Sequence, residues 1–260
     1  MKTNRYKILV LSDLKSATNT TLKSAVSLAK KINGDIEFFH VKKPSDIVEQ
    51  DNQLSAMRTI NKDFNATDKK IKSMISSISK DYKVNINYTF AAGNIKYEIG
   101  KIIKEYQPDI VVLGKRKSKP FNLIGDSITK YVLKTHKGGI MIAADNNVLE
   151  PDQEISLATL NDAEQSHKFQ YVKDLMNQNQ KPLKVFKIAS KTNPSDTSSN
   201  KDINTIEYVF EHSDNTFKGI SKYLNISEVN LLCIDKGKND FKYSKIKAVL
   251  DHLNVSLLVN

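Results

Sequence analysis

The chain carries a single cysteine, Cys233, among its 260 residues. That excludes an intramolecular disulfide framework and any thiolate zinc cluster, since both need several sulfur ligands. No run of about 18 apolar residues occurs, and Met1 to Arg5 holds too little apolar sequence for the core of a signal peptide. These absences lead to the expectation of a soluble protein of the reducing cytoplasm with no membrane partner. The patterns G-x-S-x-G, G-x-x-x-x-G-K-[ST] and H-E-x-x-H are missing, so the familiar hydrolase, P-loop and zincin chemistries have no support. His40, His136, His167, His212 and His252 are scattered without metal-ligand spacing. No metal site and no catalytic residue is expected.

Charge is present and uneven. The formal net charge is +11, and all of the excess lies in residues 1–150, which hold 26 Lys+Arg against 15 Asp+Glu; residues 151–260 hold 14 of each. A basic half attracts anions, and a nucleic-acid or phosphate binder is one reading of it. Lysine outnumbers arginine 37 to 3, however, and aromatic residues do not interleave with the basic run. Composition therefore favours a solvated surface over nucleic-acid recognition.

Hydrophobic patterning alternates between two periods. Tyr6–Leu11 is a short, branched, apolar run that ends at Ser12-Asp13 and reads as a buried strand. A helix through Leu22–Ile32 follows, with Asn33-Gly34 at its end and Gly34 expected to close it. Ile36–Val41 is a second strand, stopped at Pro44, and residues 45–82 carry long helical patterning. Val84–Phe90 alternates as a third strand, and a helix through Ile95–Ile103 ends before Pro108. Asp109–Gly114 reads as a fourth strand buried on both faces, Ser127–His136 as a helix and Gly139–Ala143 as a fifth strand. The order β-α-β-α-β-α-β-α-β implies a parallel sheet with helices on both faces.

Residues 144–154 are poor in apolar side chains and contain Pro151, which places a domain boundary there, between units 1–146 and 154–260. The pattern then restarts. Ile155–Leu160 runs into Asn161-Asp162 as the first strand does into Ser12-Asp13, and a helix over Ala163–Met176 follows. Leu183–Ala189, Thr205–Phe210, Val229–Ile234 and Val255–Val259 read as strands, with helices at Thr216–Leu224 and Tyr243–Leu253. Ser190–Asn200 reads as a loop where the first copy has a helix. A repeat of this length points to duplication of a whole domain. The fold class is α/β, with two doubly wound, five-stranded, parallel-sheet domains in tandem.

In such sheets ligands sit beyond the carboxyl ends of the strands, so the loops after strands one, two and four hold the candidates. Ser12 and Asp13 follow strand one, His40 and Val41 close strand two, and Gly114, Lys115, Arg116 and Lys117 lead from strand four towards Gly125, Asp126 and Ser127. Asp126 is placed to cap the Ser127 helix.

The strand ending at Asp13, the His40-Val41 pair, Pro108-Asp109 before Ile110–Gly114, and Gly125 before a helix and terminal strand together resemble the universal stress protein (UspA-like) family in its tandem form. The resemblance covers residues 5–143 and, more weakly, 155–260. It implies a Rossmann-like, adenine nucleotide alpha hydrolase-like fold and a stress-response binding module, with ATP or another adenine nucleotide as ligand and at most weak ATP hydrolysis. It also implies an intrachain pseudo-dimer through the last strands Ile140–Ala143 and Val255–Val259; a further homodimer of whole chains and an unidentified protein partner are left open, with nothing in the sequence for or against them. Many members bind ATP through G-x2-G-x9-G-[S/T]. This chain keeps Gly114, has Lys117 at the second glycine position, reaches Gly125 two residues early and follows it with Asp126. The resemblance places Asp13 near adenine and ribose. The cleft is accordingly expected to be a degenerate one, with basic Lys115, Arg116 and Lys117 in place of a glycine cradle.

Overall fold

The computed structural model describes residues 5–43, 53–115, 123–161, 169–178, 182–189, 205–213, 215–235 and 243–260. Pro44, Asp162, the start of the 163–176 helix and the Ser190–Asn200 loop lie outside them.

The first strand, β1 (Tyr6–Ser12), is fully enclosed at Ile8, Leu9 and Val10, as its unbroken apolar run requires. Helix α1 (Thr18–Ile32) ends differently from expectation. Asn33, at φ 55° and ψ 55°, takes the left-handed position, and its N–H donates to the Ala29 carbonyl. Gly34 instead opens β2 (Gly34–Lys42). A Cβ there would stand 2.6 Å from Ile8 Cδ1 and 3.3 Å from the Tyr6 carbonyl oxygen, so the glycine eases the close approach of two strands, while asparagine tolerates the left-handed turn.

The chain continues through α2 (Gln53–Tyr82), β3 (Ile86–Ala92), α3 (Ile95–Tyr106), β4 (Ile110–Gly114), α4 (Leu123–Thr135) and β5 (Gly139–Ala143). The second half supplies β6 (Leu157–Leu160), α5 (Gln170–Asn177), β7 (Leu183–Ile188), β8 (Thr205–Phe210), α6 (Thr216–Ile226), β9 (Leu231–Ile234), α7 (Tyr243–His252) and β10 (Ser256–Val259). α3 is capped by Asn94, whose side-chain oxygen accepts from the Lys96 and Tyr97 amides. α4 starts four residues before the expected Ser127, which changes the site described below.

All strands join one sheet in the order β3-β2-β1-β4-β5-β10-β9-β6-β7-β8. Each half is parallel, and the halves meet where β5 and β10 pair antiparallel, with Ile142 opposite Leu257 and Ile140 opposite Val259. The doubly wound order 3-2-1-4-5 is thus reflected across the seam, where β5 and β10 cover each other's edges and leave β3 and β8 at the ends of the sheet. Two apolar cores line the faces and both run across the seam. One gathers α1, the C-terminal half of α2, and α5 over Val10, Leu157 and Cys233. The other gathers α3, α4, α6 and α7 over Leu9, Ile140 and Leu232. Burial pushes the Cys233 thiol up to about 12, in keeping with an inert core residue.

The segment after β5 packs along α1. Leu149 is 1% exposed, its N–H donates to Ser24 Oγ at 3.2 Å, Ser27 Oγ donates to the Glu150 carbonyl, and Lys30 pairs with Asp152 at 2.8 Å. Its polar composition marks a strap bonded to a helix rather than a solvated linker. Among the described residues no helix is long and apolar enough to cross a membrane, and no group of three or more His, Cys, Asp or Glu is placed to hold a metal.

Candidate functional site

In the order 3-2-1-4-5 the progression of strands across the sheet reverses between β1 and β4, which pair in parallel from Ile8–Ile110 to Leu11–Leu113. Their carboxyl ends therefore flank the crevice where ligands of such sheets bind. Ser12-Asp13 leaves one side and Gly114-Lys115 the other.

The β1 exit is a tightly bonded turn. Ser12 Oγ accepts from the Leu14 amide at 3.0 Å and shares a hydrogen bond with Thr18 Oγ1 at 2.9 Å. Asp13 Oδ1 accepts from the Lys15 amide at 3.1 Å, and Leu14 sits between them at φ 57°. Lys70 of α2 donates to the Leu14 carbonyl at 2.9 Å. Asp13 is half-buried and held by this turn on the β1 side of the crevice.

His40 and Ser12 are neighbours in strand register, and His40 Nδ1 lies 2.9 Å from the Ser12 carbonyl oxygen. A carbonyl only accepts, so Nδ1 carries the proton and Nε2 is left as an acceptor in the neutral ring. Burial pushes the imidazole below its ordinary range, partly opposed by the Ser12 bond and by Asp13. The sequence places His40 with Val41 at the close of strand two, and otherwise counts it among five scattered histidines without assigning it a role. The available signal is its register, one strand away from the candidate turn.

Val41 pairs with Ala91 of β3 and packs against the α3 face core. Gly114 has a packing role: a Cβ would lie 2.5 Å from Thr21 Oγ1 and 3.7 Å from Ala17 Cβ, so the glycine admits the first turns of α1 against β4. The Lys115 side chain is engaged at the junction between the halves. Its N–H donates to the Ala143 carbonyl, and its Nζ donates to the Leu253 carbonyl, 2.9 Å away, just past the end of α7. Desolvation pushes this ammonium below the ordinary lysine range, against the pull of Asp145 and Asp251. A cation at the carbonyl end of a helix is favourably placed with respect to its dipole.

Arg116 and Lys117 lie outside the described residues. Gly125, Asp126 and Ser127 are the third, fourth and fifth residues of α4. Asp126 therefore does not cap the helix from outside, a correction to the expectation: helix formation starts at Leu123-Ile124, ahead of a Gly-Asp pair whose weak propensity suggests a later start. The backbone N–H groups of Leu123, Ile124 and Gly125, in the first turn, have no i−4 partner within the helix.

The second half closes its equivalent exit. At the end of β6, Asn161 (φ 67°) donates its N–H to the Phe186 carbonyl at 2.7 Å and accepts the Ile188 amide on Oδ1 at 2.9 Å. Both bonds fasten the exit to β7.

The family profile described as Universal stress protein family matches residues 5–142. Over almost the whole length the fold is similar to that of a universal stress protein from Archaeoglobus fulgidus DSM 4304, at TM-score 0.69 and 16% identity, covering 97% of this chain and 95% of that one. It is also similar to a functionally unknown protein, PA1789, from Pseudomonas aeruginosa PAO1, at TM-score 0.58 and 12% identity over 98% and 92% of the two chains. A universal stress protein solved in complex with cAMP aligns with 54% of this chain and 98% of its own, at TM-score 0.38 and 12% identity. No curated protein matches the sequence.

Proposed function

The chain belongs to the universal stress protein family, and on that premise we propose that it is a non-catalytic stress-response binding module with a degenerate nucleotide cleft. The first-half crevice takes the base-and-sugar end of an adenine nucleoside or nucleotide and holds phosphate weakly. The second half acts as its built-in structural partner.

The observation that carries this reading is the destination of Lys115. The lysine next to Gly114 has its ammonium on the Leu253 carbonyl, committed to the junction between halves, so it contributes no charge-assisted bond to a phosphate. Asp13, by contrast, is presented at the strand exit by a turn held through Ser12 and Thr18. Binding energy then comes from the sugar and base contacts, with the triphosphate adding little.

Titration of the wild type and Asp13→Ala with adenosine, AMP and ATP tests this. The expected result is affinities within a few-fold of one another, all weakened by Asp13→Ala. ATP binding more than tenfold tighter than adenosine would replace the reading with a nucleotide switch. That second reading has its own support in the first turn of α4, whose N–H groups, that of Gly125 included, follow β4 in the chain and would suit an anion. Binding of none of the three would mean that the crevice is abandoned and that the module works through protein partners.

A further inference from the structure

We propose that His40 is the positioning residue of this crevice: it holds the β1 exit turn in the shape that presents Asp13, and does so through its Nδ1–H bond to the Ser12 carbonyl.

The turn is short and its backbone is unfavourable. Leu14 stands at φ 57°, a conformation that costs a non-glycine residue energy unless surrounding bonds enforce it. The enforcing bonds come from three directions. Ser12 Oγ and Asp13 Oδ1 hold the following amides from within the turn, Lys70 holds the Leu14 carbonyl from α2, and His40 holds the Ser12 carbonyl from β2 at 2.9 Å. Of the side chains that make these bonds, His40 is the most buried, at 8% exposed. An unpaired carbonyl there would be costly, so the bond fixes where β1 stops and the turn begins. The second half does the same job by different means, with Asn161 fastening its exit to β7.

The ring keeps its acceptor Nε2 free of a proton in the neutral form, and burial keeps that form dominant. The charges acting on it are Asp13 from the turn itself, Lys42 from its own strand and Lys70 from α2.

This inference rests on Asp13 being a binding residue, but its test does not. Long-range proton–nitrogen correlation NMR of the wild type reads the tautomer directly: protonated Nδ1 and bare Nε2 are expected, and protonated Nε2 overturns the proposal. Amide exchange at Leu14 and Lys15 is then compared in the wild type, His40→Asn and His40→Phe. Asparagine carries a donor near the Nδ1 position, whereas phenylalanine keeps the shape and loses the donor. His40→Phe is expected to speed exchange at both amides about tenfold, the factor implied by one lost buried hydrogen bond, with Val10 and Val112 unchanged and His40→Asn close to wild type. Equal exchange in all three proteins overturns the proposal. Failure of the wild type to bind adenosine or ATP overturns the proposed ligand and leaves the exchange result to decide the positioning role.

Discussion

Gly114 and Thr21 are packed so closely that a methyl group on the glycine would stand 2.5 Å from the threonine hydroxyl. The neighbour cannot yield freely, because Thr21 Oγ1 is bonded to the Ala17 carbonyl at 2.7 Å. The glycine that most resembles part of a phosphate loop is thereby explained by helix–strand packing. Gly114→Ala is expected to destabilise the protein by about 1–3 kcal/mol, as overpacking does, read by urea denaturation. Thr21→Ala removes the struck oxygen, so the double variant should recover part of that loss. Failure of Thr21→Ala to compensate would show that Gly114 is needed for something other than this contact.

Lys115→Met keeps the length of the side chain and removes the charge. Loss of the bond to the Leu253 carbonyl should cost about 1 kcal/mol, below the usual range for charged hydrogen bonds because the group is half-exposed. Adenosine affinity should not change, and the ratio of ATP to adenosine affinity should move by less than threefold. A selective loss of ATP affinity would return Lys115 to the phosphate site.

Much of this architecture is legible in the chain alone, because strand burial is written in runs such as Ile8–Leu11 and Ile110–Leu113, and the repeat of those runs announces two halves. What is not legible depends on tertiary proximity. The Lys115 ammonium meets a carbonyl 138 residues further along, and no local pattern specifies where a long, flexible side chain ends. Asn33 and Gly34 are both suited to a left-handed turn, and only the tertiary packing of Gly34 against β1 separates the turn residue from the one that opens β2. Helix α4 begins early because Leu123-Ile124 precede the Gly125-Asp126 pair that sequence reasoning treats as a loop. The His40-Val41 pair is visible in the chain, but what His40 bonds to is decided by its register with Ser12.

His40 gives the protein a signed pH dependence. Burial holds its folded-state pKa below the ordinary value of 6.5, so the unfolded chain binds more protons as the solution is acidified. Its contribution to stability is present above pH 6.5, falls as pH drops below that value, and levels off once the folded ring also protonates. Urea denaturation of the wild type and His40→Asn from pH 7.5 to 5 should show a shallower loss for the variant. Parallel curves would assign the acid sensitivity to other groups.

The seam between halves has its own anchor in Tyr171, which is 4% exposed and donates its hydroxyl to Asn260 Oδ1 at 2.9 Å. The same hydroxyl lies over β5, where a Cβ on Gly139 would approach it to 2.5 Å. The ring meets Tyr6 edge-on at 6.0 Å, and Tyr6 in turn donates to Asp174 Oδ2 of α5 at 2.7 Å. These contacts join β1, β5, α5 and the residue after β10, so they belong to both halves. Tyr171→Phe leaves the buried Asn260 amide without that partner, at an expected cost of about 1–2 kcal/mol. Because one sheet and two shared cores span the seam, the loss should be global. Hydrogen exchange at Ile8 in the first half and Leu232 in the second should accelerate by the same factor in the variant. Acceleration confined to Leu232 would mean that the halves unfold separately, and that the antiparallel β5–β10 pairing joins two independent domains instead of building one cooperative sheet.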